Sequence, residues 1–206
     1  MITDEVSAKA YVAGLCNPIA MAKIEQFITL LVEENEQQNL VAKPSLDIVW
    51  QRHIADSAQL LEHVPRETGL WLDLGTGAGL PGLIIAIMRP DWHIKLVESR
   101  RRRIEWLERM VAEFALDRCE VIGSRLELVE TVPASVICAR AFAPLKNILK
   151  LSGRFSTSET LWLLPKGRSA AQELIELPIK SQKLFHVEQS LTDSDAGIIV
   201  GKLAQR

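Results

Sequence analysis

The hydrophobic pattern changes character about a third of the way along the chain. Ahead of residue 70 the apolar residues recur at helical spacing. Ile24, Phe27, Ile28 and Leu31 fall at i, i+3, i+4 and i+7, the stripe of an amphipathic helix. Asn17-Pro18 before them reads as an N-cap and a proline at the first helical position, where the missing N–H costs nothing. The polar residues 33–39 end this helix or expose its last turns, and Pro44-Ser45 breaks the chain. Trp50, Ile54, Ser57 and Leu61 then mark a second helix. No strand signal precedes residue 70, so residues 1–66 are expected to form a helical extension.

Beyond it, short apolar runs alternate with helical patterns. Strands are predicted over residues 70–74, 93–98, 119–122, 135–139 and 160–164, with a helix over 80–88 between the first two. Ile104, Leu107, Val111, Phe114 and Ala115 give the next helix an apolar face, with Ser99 as its expected cap. Ser169 and Gln172 read as a capping box opening a later helix. The last two strand candidates, 183–189 and 198–203, leave no room for a helix between them and are expected to pair antiparallel. This order implies an α/β fold with a mostly parallel seven-stranded sheet, a Rossmann-like domain over residues 67–206. At 206 residues the chain is long enough for that domain and a modest appendage.

The most informative stretch is Asp73-Leu74-Gly75-Thr76-Gly77-Ala78-Gly79-Leu80-Pro81-Gly82. Alternate glycines at a strand end let the backbone turn tightly and approach a ligand. The helix that follows aims its free N–H groups at the same place. Glu98 closes the next strand, where a carboxylate can accept both hydroxyls of a ribose. Nicotinamide dinucleotides and S-adenosylmethionine share these features. Asp73 separates them, because a carboxylate beside the loop repels a pyrophosphate and attracts an ammonium or sulfonium. Asp73, Gly75, Gly77 and Glu98 are therefore the expected donor-holding residues, and S-adenosylmethionine the expected cofactor.

The acceptor side is read from Cys138-Ala139-Arg140-Ala141-Phe142 at the end of the fourth strand. The polar Asn/Asp-Pro-Pro-aromatic turn that holds an exocyclic amine is missing there. A ring nitrogen such as guanine N7 already carries a free lone pair, so its methylation needs alignment and no general base. Arg140 is placed to hold guanine O6 or a phosphate, and Phe142 to stack on a base. Cys138 as a nucleophile would suit a pyrimidine C5 acceptor, though a cysteine in an apolar strand is more often core.

Charge sharpens this picture only locally. The net charge is −2, without the global basic excess of many nucleic-acid binders. Arg100 to Arg103, however, form an uninterrupted run opening a helix, where cations oppose the macrodipole at about 0.3–1 kcal/mol each. A phosphate-contacting role and a solvated charge run both account for it. Cys16, Cys119 and Cys138 are too widely spaced for a CxxC metal or redox motif, so no metal is expected. The absence of a signal-like N-terminus or long apolar run points to the cytoplasm and away from a membrane.

Taken in order, Asn39-Leu40, Arg52-His53-Ile54-Ala55-Asp56-Ser57, Gly75 to Gly82, Ser124-Arg125, Arg140-Ala141-Phe142 and Lys166-Gly167 resemble the ribosomal RNA small-subunit methyltransferase G family, also called glucose-inhibited division protein B. The resemblance covers roughly residues 35–170. It implies a bacterial cytoplasmic enzyme that methylates N7 of one guanine in 16S ribosomal RNA, in the loop near the decoding site. It also implies that Gly75, Thr76, Gly77, Gly79 and Leu80 bind the donor, with Leu126, Glu127 and Arg140 lining its pocket. His53, Arg125 and Lys166 match positions near the substrate, and with Arg140 form the expected catalytic set. The expected partner is 16S RNA within the small ribosomal subunit, approached by a monomer. The alternatives are a methyltransferase with a small-molecule or protein acceptor, a nicotinamide-dependent oxidoreductase, and a non-catalytic nucleotide-binding module.

Overall fold

The computed structural model describes residues 1–65 and 68–203. The expected boundary between residues 66 and 67 lies outside the described residues. Two helices open the chain, α1 (Glu5–Leu15) and α2 (Pro18–Asn35). Asn17 caps α2 as expected, its side chain accepting from the Ala20 N–H. The sequence pattern did not single out α1, which carries a reciprocal capping box between Asp4 and Ser7. The second predicted helix is a composite: a π-helical turn (Trp50–Ala55), α3 (Asp56–Ala58) and a 3-10 turn (Gln59–His63).

Every predicted strand is present. They are β1 (Trp71–Leu74), β2 (Ile94–Glu98), β3 (Cys119–Gly123), β4 (Val136–Cys138), β5 (Leu161–Lys166), β6 (Phe185–Gln189) and β7 (Gly197–Lys202). The helices between them are α4 (Gly82–Met88), α5 (Arg101–Glu113), α6 (Leu145–Ser152), α7 (Ala170–Ile175) and α8 (Ile179–Gln182). The sheet order is β3-β2-β1-β4-β5-β7-β6. The first five strands run parallel, and β7 pairs antiparallel with both β5 and β6, closing the sheet. β1 is fully buried, paired with β2 on one side and β4 on the other. The chain thus crosses first to one side of β1 and then to the other. Ligands of open α/β sheets bind beyond the carboxyl ends of the strands at such a reversal.

Two expected caps are not formed. At α5 the Ser99 and Arg100 N–H groups donate to Glu98 Oε1, 2.7 and 2.9 Å away, so the preceding strand's carboxylate takes the role given to Ser99. A carboxylate is the stronger acceptor and complements the helix dipole. At α7 the Ser169 hydroxyl donates to Glu173 Oε1, 2.8 Å away, and makes no cap bond with the backbone. Gln172 reaches forward to Glu176.

The N-terminal helices share one core with the sheet. Ala8, Val12, Ile24, Phe27 and Leu31 pack into the same buried cluster as Ile84, Leu96 and Leu107. Phe27 meets Trp106 of α5 at 6.1 Å between ring centroids, and Trp106 Nε1 donates to the Ala78 carbonyl in the glycine loop. Lys23 Nζ also donates to the Phe114 carbonyl, 2.6 Å away, at the end of α5. The helical extension therefore supports the loop from behind. Phe27→Ala leaves a cavity in this contact and is expected to cost about 3–5 kcal/mol. Urea unfolding should show that loss in a single transition, because extension and sheet have one core.

Candidate donor and acceptor sites

The glycine loop leaves β1 through three left-handed residues, Gly75 (φ 65°), Gly77 (φ 60°) and Gly79 (φ 97°). Sterics reserve this region almost entirely for glycine. At Gly75 space adds a second reason: a Cβ there would come 2.2 Å from Cδ2 of Phe142. The loop ends in a cis Leu80-Pro81 bond before α4.

Asp73 lies beneath this loop, fully buried. Its Oδ2 accepts from the Thr76 hydroxyl at 2.5 Å and the Gly82 N–H at 2.9 Å, while Oδ1 has no hydrogen-bond partner. Burial pushes its pKa up to about 6, against the pull of those two donors. Glu98 Oε2 accepts from the Gly77 N–H at 3.1 Å and lies 3.8 Å from the Arg103 guanidinium. The two acids thus tie the loop to β1 and β2.

A cavity of about 250 Å³ opens beside the loop, with Gly75, Glu98, Arg100, Ser124, Leu126 and Phe142 among its walls. Of the expected donor set, Gly75, Glu98 and Leu126 face this cavity. Asp73, Thr76, Gly77, Gly79 and Leu80 form the loop's framework behind it. Glu127 is exposed on the same turn as Leu126 and forms no part of the wall. The residues fit the cofactor: the buried Asp73 carboxylate behind the loop, with one oxygen unpartnered, favours a cation bound there, and Glu98 stands where a ribose is expected.

The four-arginine run is dispersed. Arg101 pairs with Glu105, Arg102 donates to the Gln37 carbonyl, and Arg103 faces Glu98. Arg100 alone is left without a side-chain partner among the described residues, and it lines the donor cavity.

A second cavity, about 580 Å³, adjoins the first, and Ala141 and Phe142 line both. Arg140 forms its hub. Nη1 donates to Asp56 Oδ2 at 2.9 Å and to the Arg52 carbonyl at 3.3 Å. Nη2 lies 3.0 Å from His53 Nδ1. A guanidinium only donates, so His53 Nδ1 must accept, and the ring proton sits on Nε2. His53 Nε2 then donates to Ser45 Oγ at 2.8 Å, and Ser45 donates to the Ala42 carbonyl at 2.6 Å. Burial, with Arg140 and Arg52 adding to it, pushes the His53 pKa down to about 3. Asp56 Oδ1 meanwhile accepts from Gln59 Nε2 at 2.9 Å and the Thr192 hydroxyl at 3.0 Å.

The structure thus brings His53, Arg140 and Lys166 to one cavity. Lys166 is nonetheless a clamp: its Nζ donates to the Ala143 carbonyl at 2.6 Å and pairs with Glu173 at 2.8 Å. Glu173 Oε2 also accepts from the Leu145 N–H at 2.6 Å, so the loop after Arg140 is held at both ends. Between them Ala141 is left-handed (φ 51°), a conformation that costs a non-glycine residue about 1–2 kcal/mol. Arg125 lies outside both cavities, exposed, with a guanidinium that pairs with none of the described residues. Cys138 is fully buried and its thiol is pushed well above the ordinary range by burial and by Asp73. That environment disfavours a thiolate and removes the nucleophile reading. Sequence reasoning missed Ser45, Gln59 and Thr192. Thr192 meets Asp56 across 136 positions, a separation no local pattern signals.

His53 is expected to stay neutral between about pH 5 and 8 in an NMR titration. Below its ordinary pKa of 6.5 the unfolded chain gains a proton that the native ring refuses. The His53 contribution to stability is therefore present above pH 6.5 and lost as pH falls toward 3. Urea midpoints of wild type and His53→Gln should converge over that window.

Comparison with known proteins agrees with this layout. The family described as "GidB: rRNA small subunit methyltransferase G" matches residues 20–198. A ribosomal RNA small subunit methyltransferase G from Erythrobacter litoralis is 60% identical over 202 residues, covering 98% of each chain. Its counterpart from Sphingopyxis alaskensis is 52% identical, covering 98% of this chain and 87% of its own. Among solved structures, a methyltransferase from Geobacter sulfurreducens shares the fold, with TM-score 0.60 at 15% identity over 95% of this chain and 94% of its own. The chain belongs to the rRNA small subunit methyltransferase G family and is an S-adenosylmethionine-dependent methyltransferase with the class I fold.

Proposed function

We propose that the protein methylates N7 of a guanine in 16S ribosomal RNA, acting as a cytoplasmic monomer on the small ribosomal subunit. The observation that carries this reading is the state of the acceptor cavity. Its fixed cation, Arg140, is held beside a histidine whose only free lone pair is already used. The cavity's carboxylates, Asp56 and Glu173, are likewise taken up by Arg140 and Lys166, so the cavity is built to orient an acceptor and offers no free group to deprotonate one. Guanine N7 needs no deprotonation, whereas hydroxyl and exocyclic amine acceptors do.

S-adenosylmethionine, when bound, supplies the electrophilic methyl group. Glu98 would hold its ribose, the Gly75 and Leu126 walls would enclose it, and the negative charge of Asp73 behind the loop would favour its ammonium. Arg140 directs N–H groups at guanine O6 and leaves N7 open. Phe142, shared by both cavity walls, packs against the base and excludes water. Arg125 and Arg100 meet phosphates at the rim. His53, Asp56 and Lys166 position Arg140 and its loop. Catalysis is then proximity and orientation.

The direct test supplies labelled S-adenosylmethionine and small subunits from a strain lacking this protein, then analyses nucleosides. Label in 7-methylguanosine of 16S RNA supports the reading, while label confined to protein or small molecules sinks it. Arg140→Ala is expected to lower kcat about 10- to 100-fold, the loss of a charged hydrogen bond at the reacting base. Arg140→Lys should not restore it, because an ammonium lacks the planar fork. Donor affinity, measured by calorimetry, should stay close to wild type in both.

Asp73 gives a pH signature. Its carboxyl holds a proton up to about pH 6 in the free protein, and a bound cation favours the ionised form. Donor affinity should therefore rise as pH increases through about 6. Asp73→Asn is expected to bind weakly at every pH and to lose that dependence.

A further inference from the structure

A cavity larger than either the donor or the acceptor cavity lies apart from both sites. It is a groove of about 1250 Å³ between α6 and α8, with a floor that includes Leu149, Leu177 and Leu184. Lys146, Lys150 and Arg154 follow one another along the α6 side, and Lys180 faces them from α8. No carboxylate is among its lining residues. Ser156, Thr157 and Ser181 add hydroxyls.

Arg154 donates to the Thr131 hydroxyl and the Leu126 carbonyl, but the lysine charges in this groove are unspent. Elsewhere the lysines are engaged: Lys9, Lys43, Lys95, Lys166 and Lys202 pair with carboxylates, and Lys23 with a carbonyl. The lysines without a partner among the described residues are Lys146, Lys150, Lys180 and Lys183, all on or beside this groove. In a chain of net charge −2 that concentration is local and one-sided. Lys146 and Lys150 also sit at i and i+4, where like charges destabilise a helix. At Lys150 that repulsion is partly offset, because the helix dipole favours a cation in the last turn.

The groove shares no lining residue with the acceptor cavity, but α6 bridges them, running from the loop at the carboxyl edge of the sheet toward the opposite edge, where β5 begins. α6 begins directly after the loop of Arg140 to Pro144, which lines the acceptor cavity. Lys146 follows Pro144 by two residues, and Lys150 lies one turn further, about 6 Å along the helix. A strand leaving the acceptor cavity along α6 meets these cations in succession. Positively charged grooves that track the backbone, with apolar surface for the bases, are how proteins hold single-stranded nucleic acid.

We propose that the α6–α8 groove binds the ribosomal RNA backbone flanking the methylated base, with Lys146, Lys150 and Lys180 as phosphate contacts. This rests on the reading of the acceptor as RNA. The groove supplies affinity and register and takes no part in methyl transfer.

The test compares wild type with the triple variant Lys146→Gln/Lys150→Gln/Lys180→Gln. A control, Lys9→Gln/Lys43→Gln/Lys95→Gln, removes the same net charge from paired lysines elsewhere. Binding of a labelled 16S fragment is followed by anisotropy across salt concentrations, and methylation of small subunits gives KM and kcat. The triple variant should bind at least about tenfold more weakly, with a salt slope shallower by about 2, since each phosphate contact on a single strand contributes about 0.7. KM should rise with kcat at saturation unchanged, and donor affinity and melting should match wild type. The single variant Lys150→Gln should lose a correspondingly smaller part. Wild-type affinity and slope in the triple variant, or an equal loss in the control, would overturn the groove assignment. Weaker binding to intact subunits with unaltered binding to naked RNA would identify a protein partner and overturn it too. Failure of the wild-type enzyme to methylate 16S RNA is a separate result, which removes the acceptor reading itself.

Discussion

The buried carboxylate of Asp73 is the constraint on which the donor half of the molecule depends. It ends the central strand, and its Oδ2 gathers the Thr76 hydroxyl and the Gly82 N–H, one at each end of the glycine loop. The loop is thereby wrapped around an acid that water does not reach, and its glycines are forced into left-handed turns. Gly82 shows how tight the wrapping is, because a Cβ there would lie 2.6 Å from Oδ2. The raised pKa is the energetic mark of this burial. A carboxylate held in so poor a solvent, with one oxygen unpartnered, is predisposed to accept a cation. Structure and ligand preference have the same cause.

The acceptor half is organised by a cation in the complementary way. Arg140 is held by an acid, a carbonyl and a neutral imidazole, so its fork is fixed before substrate arrives. Fixing it strains the next residue: Ala141 is left-handed, with Arg140 anchored on one side and Ala143 clamped by Lys166 on the other. Such strain persists only where surrounding contacts over-determine the backbone, and it clusters at functional sites. The same geometry disposes of His53 as a base. A ring that accepts from Arg140 and donates to Ser45 has both nitrogens committed.

What the sequence revealed was mostly local. The glycine loop, Glu98 and the strand succession are legible because each is encoded within a few residues by turn chemistry and periodicity. The helix from Leu145 to Ser152 is only eight residues long, too short for its apolar face to stand out as a helical period. Ser99 and Ser169 have the right spacing for caps, yet Glu98 and Glu173 outcompete or divert them. Lys166 is an expected substrate-side cation that folding turns into a clamp, because Glu173 arrives beside it from the next helix. The bonds from Asp56 and from Gln51 to Thr192 join parts of the chain separated by most of its length, beyond the reach of any motif.

The two halves meet at a side chain. Phe142 packs where a Cβ on Gly75 would lie, and it belongs to the walls of both cavities. Its backbone is anchored through Arg140 before it and Ala143 after it, and the ion pairs Arg140–Asp56 and Lys166–Glu173 fix the loop on either side of the ring. An enzyme that works by alignment gains from that rigidity. The anchors hold direction for the methyl transfer, and the ring stands where the donor and acceptor cavities meet.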